Sequence, residues 1–124
     1  DSTPVSGGPT GWSINVVNGT ALNTNLNGEN NTVNAALTVN AWNLVTVTWD
    51  GSTVRRYVNG NPVGTHYALA TLNQSGRNTL IGQSANTNYF QGRIDDLRVH
   101  GRALSGKEIT DAHFRAVNPL VRVY

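Results

Sequence analysis

The stretch VTVTWDGSTVRRYVNGNPVG, residues 45–64, decides the fold class. Val45 to Trp49 is β-branched or aromatic at every position, the composition that suits a pleated, half-buried surface. The strand reading extends back to Trp42 (WNLVTVTW, 42–49), and Asp50-Gly51 closes it with a tight turn. Val54–Val58 returns antiparallel, and Asn59-Gly60 turns the chain again into Val63–Tyr67. Both turns use residues that tolerate positive φ, which hairpins require.

Working outward, Trp12–Val17 reads as a short strand ended by Asn18-Gly19. Asn23–Asn34 is so polar that it reads as a long loop with weak edge pairing, followed by Val33–Val39 leading into Trp42. Short strands continue at Thr79–Gly82 and Gly92–His100. In the last of these, Leu97 and Val99 share a face under a period of two while Ile94 falls on the other. A bulge at Asp95-Asp96 would bring all three to the core side. Ser105 to about Ala116 is the helix of the chain. Ser105 is its N-cap, Glu108 completes a capping box, and Leu104 and Ile109 are placed for a hydrophobic staple. Ile109, Ala112, His113 and Ala116 form its apolar face, Pro119 stops it, and Leu120–Tyr124 is a candidate terminal strand. These elements predict an all-β antiparallel jelly-roll β-sandwich with one short C-terminal helix. Residues 1–11 read as a flexible lead-in and 12–124 as the domain.

Composition narrows the function classes. The chain has 124 residues, of which 13% are charged and 17 are asparagine. Its +2 charge comes from arginine, with Lys107 the single lysine and no basic run longer than Arg55-Arg56. That leaves nucleic-acid binding without a basic footprint. Without cysteine there is no disulfide, thiolate catalysis or thiolate metal site. No apolar stretch approaches a membrane span. Few charges, abundant Asn and Thr and no reactive sulfur suit a secreted or cell-surface protein.

The ordered motifs Trp42, Val45–Gly51, Tyr57–Gly60, Gly64, Leu80–Gly82, Phe90, Gly92, Ile94–Val99, Arg102–Ser105, Glu108 and Ile109 resemble the laminin G-like branch of the concanavalin A-like lectin/glucanase superfamily. The likeness is dense over 42–109 and loose over 12–41. It implies a jelly roll in which Trp42, Trp49, Tyr57 and Phe90 serve the scaffold. The opening strands of a full module of that family have no counterpart in residues 1–41. The resemblance therefore implies the later part of such a domain, with another polypeptide or a second copy supplying missing strands. A sandwich lacking strands exposes apolar face and unpaired edges.

Hydrolases of this superfamily use paired carboxylates, and retaining chemistry needs two carboxyls about 5 Å apart. The seven acids offer no such strand pattern, so no catalytic residue is assigned and the isolated chain reads as noncatalytic. Asp95 and Asp96 pair with nearby arginines, or, as the resemblance implies, contribute to a structural Ca²⁺ site. A hard cation takes six to eight oxygens, so its remaining ligands would come from the absent segment. His66, His100 and His113 lack metal-site spacing. For glycan binding, the candidates are Asn86, Asn88 and Tyr89 in the loop at 83–91, with Trp12, because an aromatic face stacks on a pyranose while amides bond its hydroxyls. Asn18, Asn30 and Asn73 begin glycosylation sequons. The functions this predicts are a lectin-like accessory module recognising carbohydrate or protein, or a structural subunit that completes a sandwich with a partner.

Overall fold

The computed structural model describes residues 11–67, 78–84 and 88–118. Two antiparallel three-stranded meanders form its body. The first comprises β1 (Trp12–Val17), β2 (Ala21–Leu26) and β3 (Glu29–Asn34), in that spatial order. The second comprises β4 (Val45–Trp49), β5 (Thr53–Val58) and β6 (Asn61–Tyr67), again in chain order. A two-stranded ribbon, β7 (Gln83–Ser84) with β8 (Asn88–Tyr89), and helix α1 (Gly106–Val117) follow.

Both meanders turn on the same chemistry. Asn27-Gly28 joins β2 to β3 with φ of 51° and 94°, and Asn59-Gly60 joins β5 to β6 with 52° and 79°. Two consecutive positive φ values define the hairpin turn whose twist matches that of its strands. Each asparagine also reaches sideways. The Asn27 N–H donates to Gly11 O at 2.8 Å, while Gly11 N–H donates to Asn27 Oδ1 at 3.3 Å. Asn59 and Leu44 exchange the equivalent pair at 2.8 and 2.9 Å. The residue ahead of each first strand is thereby clamped to the far hairpin. Gly11, which the sequence places in the lead-in, already belongs to the fold.

The polar stretch 23–34 is thus two paired strands and not a loop. Leu22, Thr24 and Leu26 alternate onto the inner face, and all three are buried. On the outer face, Asn23 Nδ2 donates to Thr32 Oγ1 and Asn25 Nδ2 to Asn30 Oδ1, both at 2.9 Å. Cross-strand amide and hydroxyl bonds supply here what β-branched packing supplies elsewhere.

The sheets pack inner face to inner face. One apolar cluster joins Leu22, Ala35, Leu37 and Val58, with Val33, Val45 and Val63 against it. A second joins Leu26 and Val54, with Val47 and Trp49 against it. On β6 the register against β5 slips between Arg56 and Tyr57, so that Gly64 faces Arg56, Pro62 faces Tyr57 and Val63 is the extra residue. β3 lies over β6, and a Cβ on Gly64 would come 3.0 Å from Val33 Cγ2.

The helix begins as its sequence dictates. Glu108 N–H donates to Ser105 Oγ, and Ser105 N–H to Glu108 Oε1, both at 3.2 Å. Ile109 is fully buried, whereas Ala116 is exposed, so the apolar face fades at the far end. His113 packs over the β5–β6 turn, where a Cβ on Gly60 would lie 3.3 Å from its own Cβ.

Three further expectations fail. Trp42 lies ahead of β4, 66% exposed, in a loop tied by Asn43, which accepts from Thr38 N–H and donates to Thr38 O. Thr79–Gly82 forms no strand; the ribbon starts at Gln83, and Phe90 N–H donates to Gly82 O at 2.8 Å. Residues 92–100 form no strand either, and Ile94, Leu97 and Val99 are all exposed, so no bulge gathers them onto a core. A strand needs a neighbour to exchange hydrogen bonds with, and among the described residues this segment has none. Pro119 and Leu120–Tyr124 lie outside the described residues.

Candidate functional site

Two features stand out, one at the open side of the sandwich and one in its middle. The register places Trp12, Ile14 and Val16 of β1 opposite Leu26, Thr24 and Leu22 of β2, hence on the same inner face. The β2 side chains are buried, yet the β1 row is 41–47% exposed. This is an apolar row on a core face that the second sheet covers only in part. Among the described residues β1 is also an edge strand, with one side of its backbone unpaired to another strand. Ile94, Leu97, Val99 and Phe90 add further exposed apolar surface after the ribbon.

The residues predicted to bind glycan do not assemble into one site. Trp12 lies at the start of β1, in the first sheet. Asn88 and Tyr89 form β8, paired with Ser84 and Gln83, and Tyr89 is exposed. Asn86 lies outside the described residues.

Asp95 and Asp96 are solvent-exposed. Asp95 Oδ1 accepts the Asp96 N–H at 2.8 Å, and the Asp96 carboxylate takes Arg98 at 2.9 and 3.2 Å. Asp96 has φ of 52°. Among the described residues no group of three or more His, Cys, Asp or Glu is placed to hold a metal ion. Three other surface acids are likewise committed: Asp50 to Arg55 at 2.7 Å, Glu108 to Arg102 at 2.7 Å and Asp111 to Lys107 at 2.9 Å. Arg102, and then the Ser105 N–H, lower the Glu108 carboxyl to about 2. Arg55 and the Thr53 and Ser52 N–H groups hold Asp50 well below the usual carboxylate range.

The second feature is a polar layer inside the sandwich. Arg56 shares the inner face of β5 with Val54 and Val58, and only 2% of it is exposed. Its Nη1 donates to Asn31 O at 3.0 Å and its Nη2 to Asn31 Oδ1 at 2.8 Å, reaching from β5 across to β3. Thr24 Oγ1 donates to the same Asn31 carbonyl at 3.5 Å. His66, opposite Val54 on β6, has both ring nitrogens buried without a partner, and Arg56 Nε is equally unpartnered. Burial, then the Arg56 charge, push the His66 imidazole down, while Glu29 pulls it up. The layer separates the Leu22–Val58 cluster from the Leu26–Val54 cluster.

The sequence carried a signal for this layer that our reading of it missed. In Val54-Arg55-Arg56-Tyr57-Val58, a period of two places Arg56 with the valines and Arg55 on the opposite face. The adjacent arginines therefore form no basic patch: one pairs with Asp50 at the surface and the other is internal.

A sequence profile of the concanavalin A-like lectin/glucanases superfamily matches residues 1–110. No curated protein matches the chain. A crystal structure of an S-layer domain-containing protein (residues 221–444) from Clostridium thermocellum is similar, with a TM-score of 0.56 and 26% identity. The alignment covers 91% of this chain and 68% of that one. Among the described residues no helix is long and apolar enough to cross a membrane.

Proposed function

Given that this chain belongs to the concanavalin A-like lectin/glucanase superfamily, we propose that it is a noncatalytic accessory or structural domain of a secreted or cell-surface protein. Strands from another polypeptide segment or a second copy close its sandwich into a jelly roll. The observation that carries this reading is the half-exposed row Trp12, Ile14 and Val16 on an inner sheet face whose neighbouring row is buried. An added strand would pair with the β1 edge and cover that row, removing both an aggregation-prone edge and wetted apolar surface. The likeness to an S-layer domain-containing protein supports an extracytoplasmic setting. The commitment of Asp50, Asp96, Glu108 and Asp111 to cationic partners supports a role without acid–base catalysis.

Native mass measurement of the purified protein tests this, with identification of any copurifying chain. A complex of fixed stoichiometry supports the reading. A monomer that unfolds in one cooperative transition and binds no apolar dye would overturn it.

Carbohydrate recognition is the second reading, favoured by the exposed rings of Tyr89 and Trp12. A glycan array run with and without calcium checks it, and signal no higher than background in both would remove it. A Ca²⁺ ion at Asp95 and Asp96 would draw its remaining oxygens from the segment that closes the domain, because Asp96 is already paired with Arg98.

A further inference from the structure

We propose that the polar layer between the sheets is a binding site for one small monovalent anion of the chloride or formate class, held by the Arg56 Nε–H and a ring N–H of His66. The inference is independent of what closes the sandwich.

It begins with the charges. Arg55, Arg98, Arg102 and Lys107 each meet a carboxylate at 2.7–2.9 Å on the exposed surface. Among the described residues Arg56 is the buried cation, and it bonds only the neutral carbonyl and amide oxygens of Asn31. Burying a charge without an opposite charge is costly, and the interior amplifies the attraction for an anion that reaches it.

Geometry supplies the donors. Arg56 faces Gly64 and His66 faces Val54 across the same strand pair, so Arg56 and His66 are diagonal neighbours on the inner face. Such pairs lie roughly 7–8 Å apart at Cα, within reach of long side chains. Arg56 Nε and both His66 nitrogens are buried and unpartnered. Glycine at 64 lets β6 pass close against the guanidinium, since a Cβ there would sit 3.3 Å from Nη2 and 3.0 Å from Val33 Cγ2. A halide or a one-carbon carboxylate accepts both N–H bonds at once and neutralises the cation. Glu29, on β3, is the nearby carboxylate whose charge acts on His66, and it stays at the exposed end of its strand. Its charge opposes a bound anion.

Chloride-35 NMR line broadening on the native assembly at neutral pH tests the site, with formate as competitor. The expected result is excess linewidth that formate removes, that His66→Leu abolishes, and that Glu29→Gln leaves intact or increases. Arg56→Met should also abolish it; if that variant does not fold, His66→Leu, checked by circular dichroism, decides alone. Absence of excess linewidth in the native protein would mean that water alone satisfies these groups, and would overturn the proposal. So would broadening that survives His66→Leu, which would place the chloride elsewhere.

Discussion

Residues 11–34 and 44–67 build the same meander twice from different side chains. In each, an Asn-Gly hairpin turns the second strand into the third, and its asparagine clamps the residue ahead of the first strand. The second sheet is written in β formers, VTVTW and TVRRYV. The first is written ALNTNL and ENNTVN, and its β2 and β3 send only Leu22, Leu26 and Val33 inward as apolar side chains. The difference teaches that strand propensity is dispensable when turn chemistry sets the register and amide bonds stitch the outer face. Propensity measures fit to a half-buried surface, and an asparagine row can fit by bonding its neighbours.

The largest expected effect breaks the packing that joins the meanders. Leu22→Ala should cost about 3 kcal/mol in urea denaturation, since Leu22 is fully buried at the contact with Val58. A cost below about 1 kcal/mol, the range of a surface change, would mean that the first sheet is not packed on the second.

Next come the clamps. Asn27→Ala and Asn59→Ala should each cost about 1–2 kcal/mol, because alanine disfavours positive φ and both lose the bond to the preceding strand. Equal losses would sharpen the equivalence of the two turns, whereas a neutral Asn27→Ala would break it. Asn59→Gly, which keeps the φ but not the side chain, should recover only part of the loss.

Outside both meanders, Ser105→Ala should cost about 1 kcal/mol by removing the cap of α1. Thermal melts show whether that loss stays in the helix or spreads to the β5–β6 turn beneath His113.

The smallest effect is a pH dependence lodged in the second sheet. His66 titrates below its ordinary value in the fold, so the unfolded chain binds the proton more readily. This stabilising contribution is present above about pH 6.5 and is lost as pH falls below it. Burial, then the charge of Arg56 beside it, sets the shift, and Glu29 across from it opposes it. The slope of melting temperature between pH 7 and 5 should flatten in His66→Leu. An unchanged slope would remove His66 from the account.

Much of the fold is legible residue by residue. β1 runs over the predicted Trp12–Val17, β5 and β6 sit where the turns at Asp50-Gly51 and Asn59-Gly60 place them, and α1 starts at the predicted capping box. β2 and β3 are not legible from propensity, because what stabilises them is the pairing of Asn23 with Thr32 and Asn25 with Asn30 across strands. Of the candidate site, alternation in 54–58 already separates Arg56 from Arg55. That Arg56 meets Asn31, 25 residues earlier in the chain, and no carboxylate is invisible in one dimension.

By itself, then, the sequence determined the local grammar: hairpins at Asn-Gly and Asp-Gly, strands between them, and a capped helix. These depend on φ preferences and on hydrogen bonds between residues a few positions apart. Only the tertiary structure decided which faces are covered. Leu22 and Trp12 both face inward with strand-like periodicity, yet one is buried and the other half exposed. Ile94, Leu97 and Val99 carry the pattern of a core strand without forming one. Burial depends on a distant surface arriving to exclude water, and a pattern of side chains records the need for that surface without supplying it.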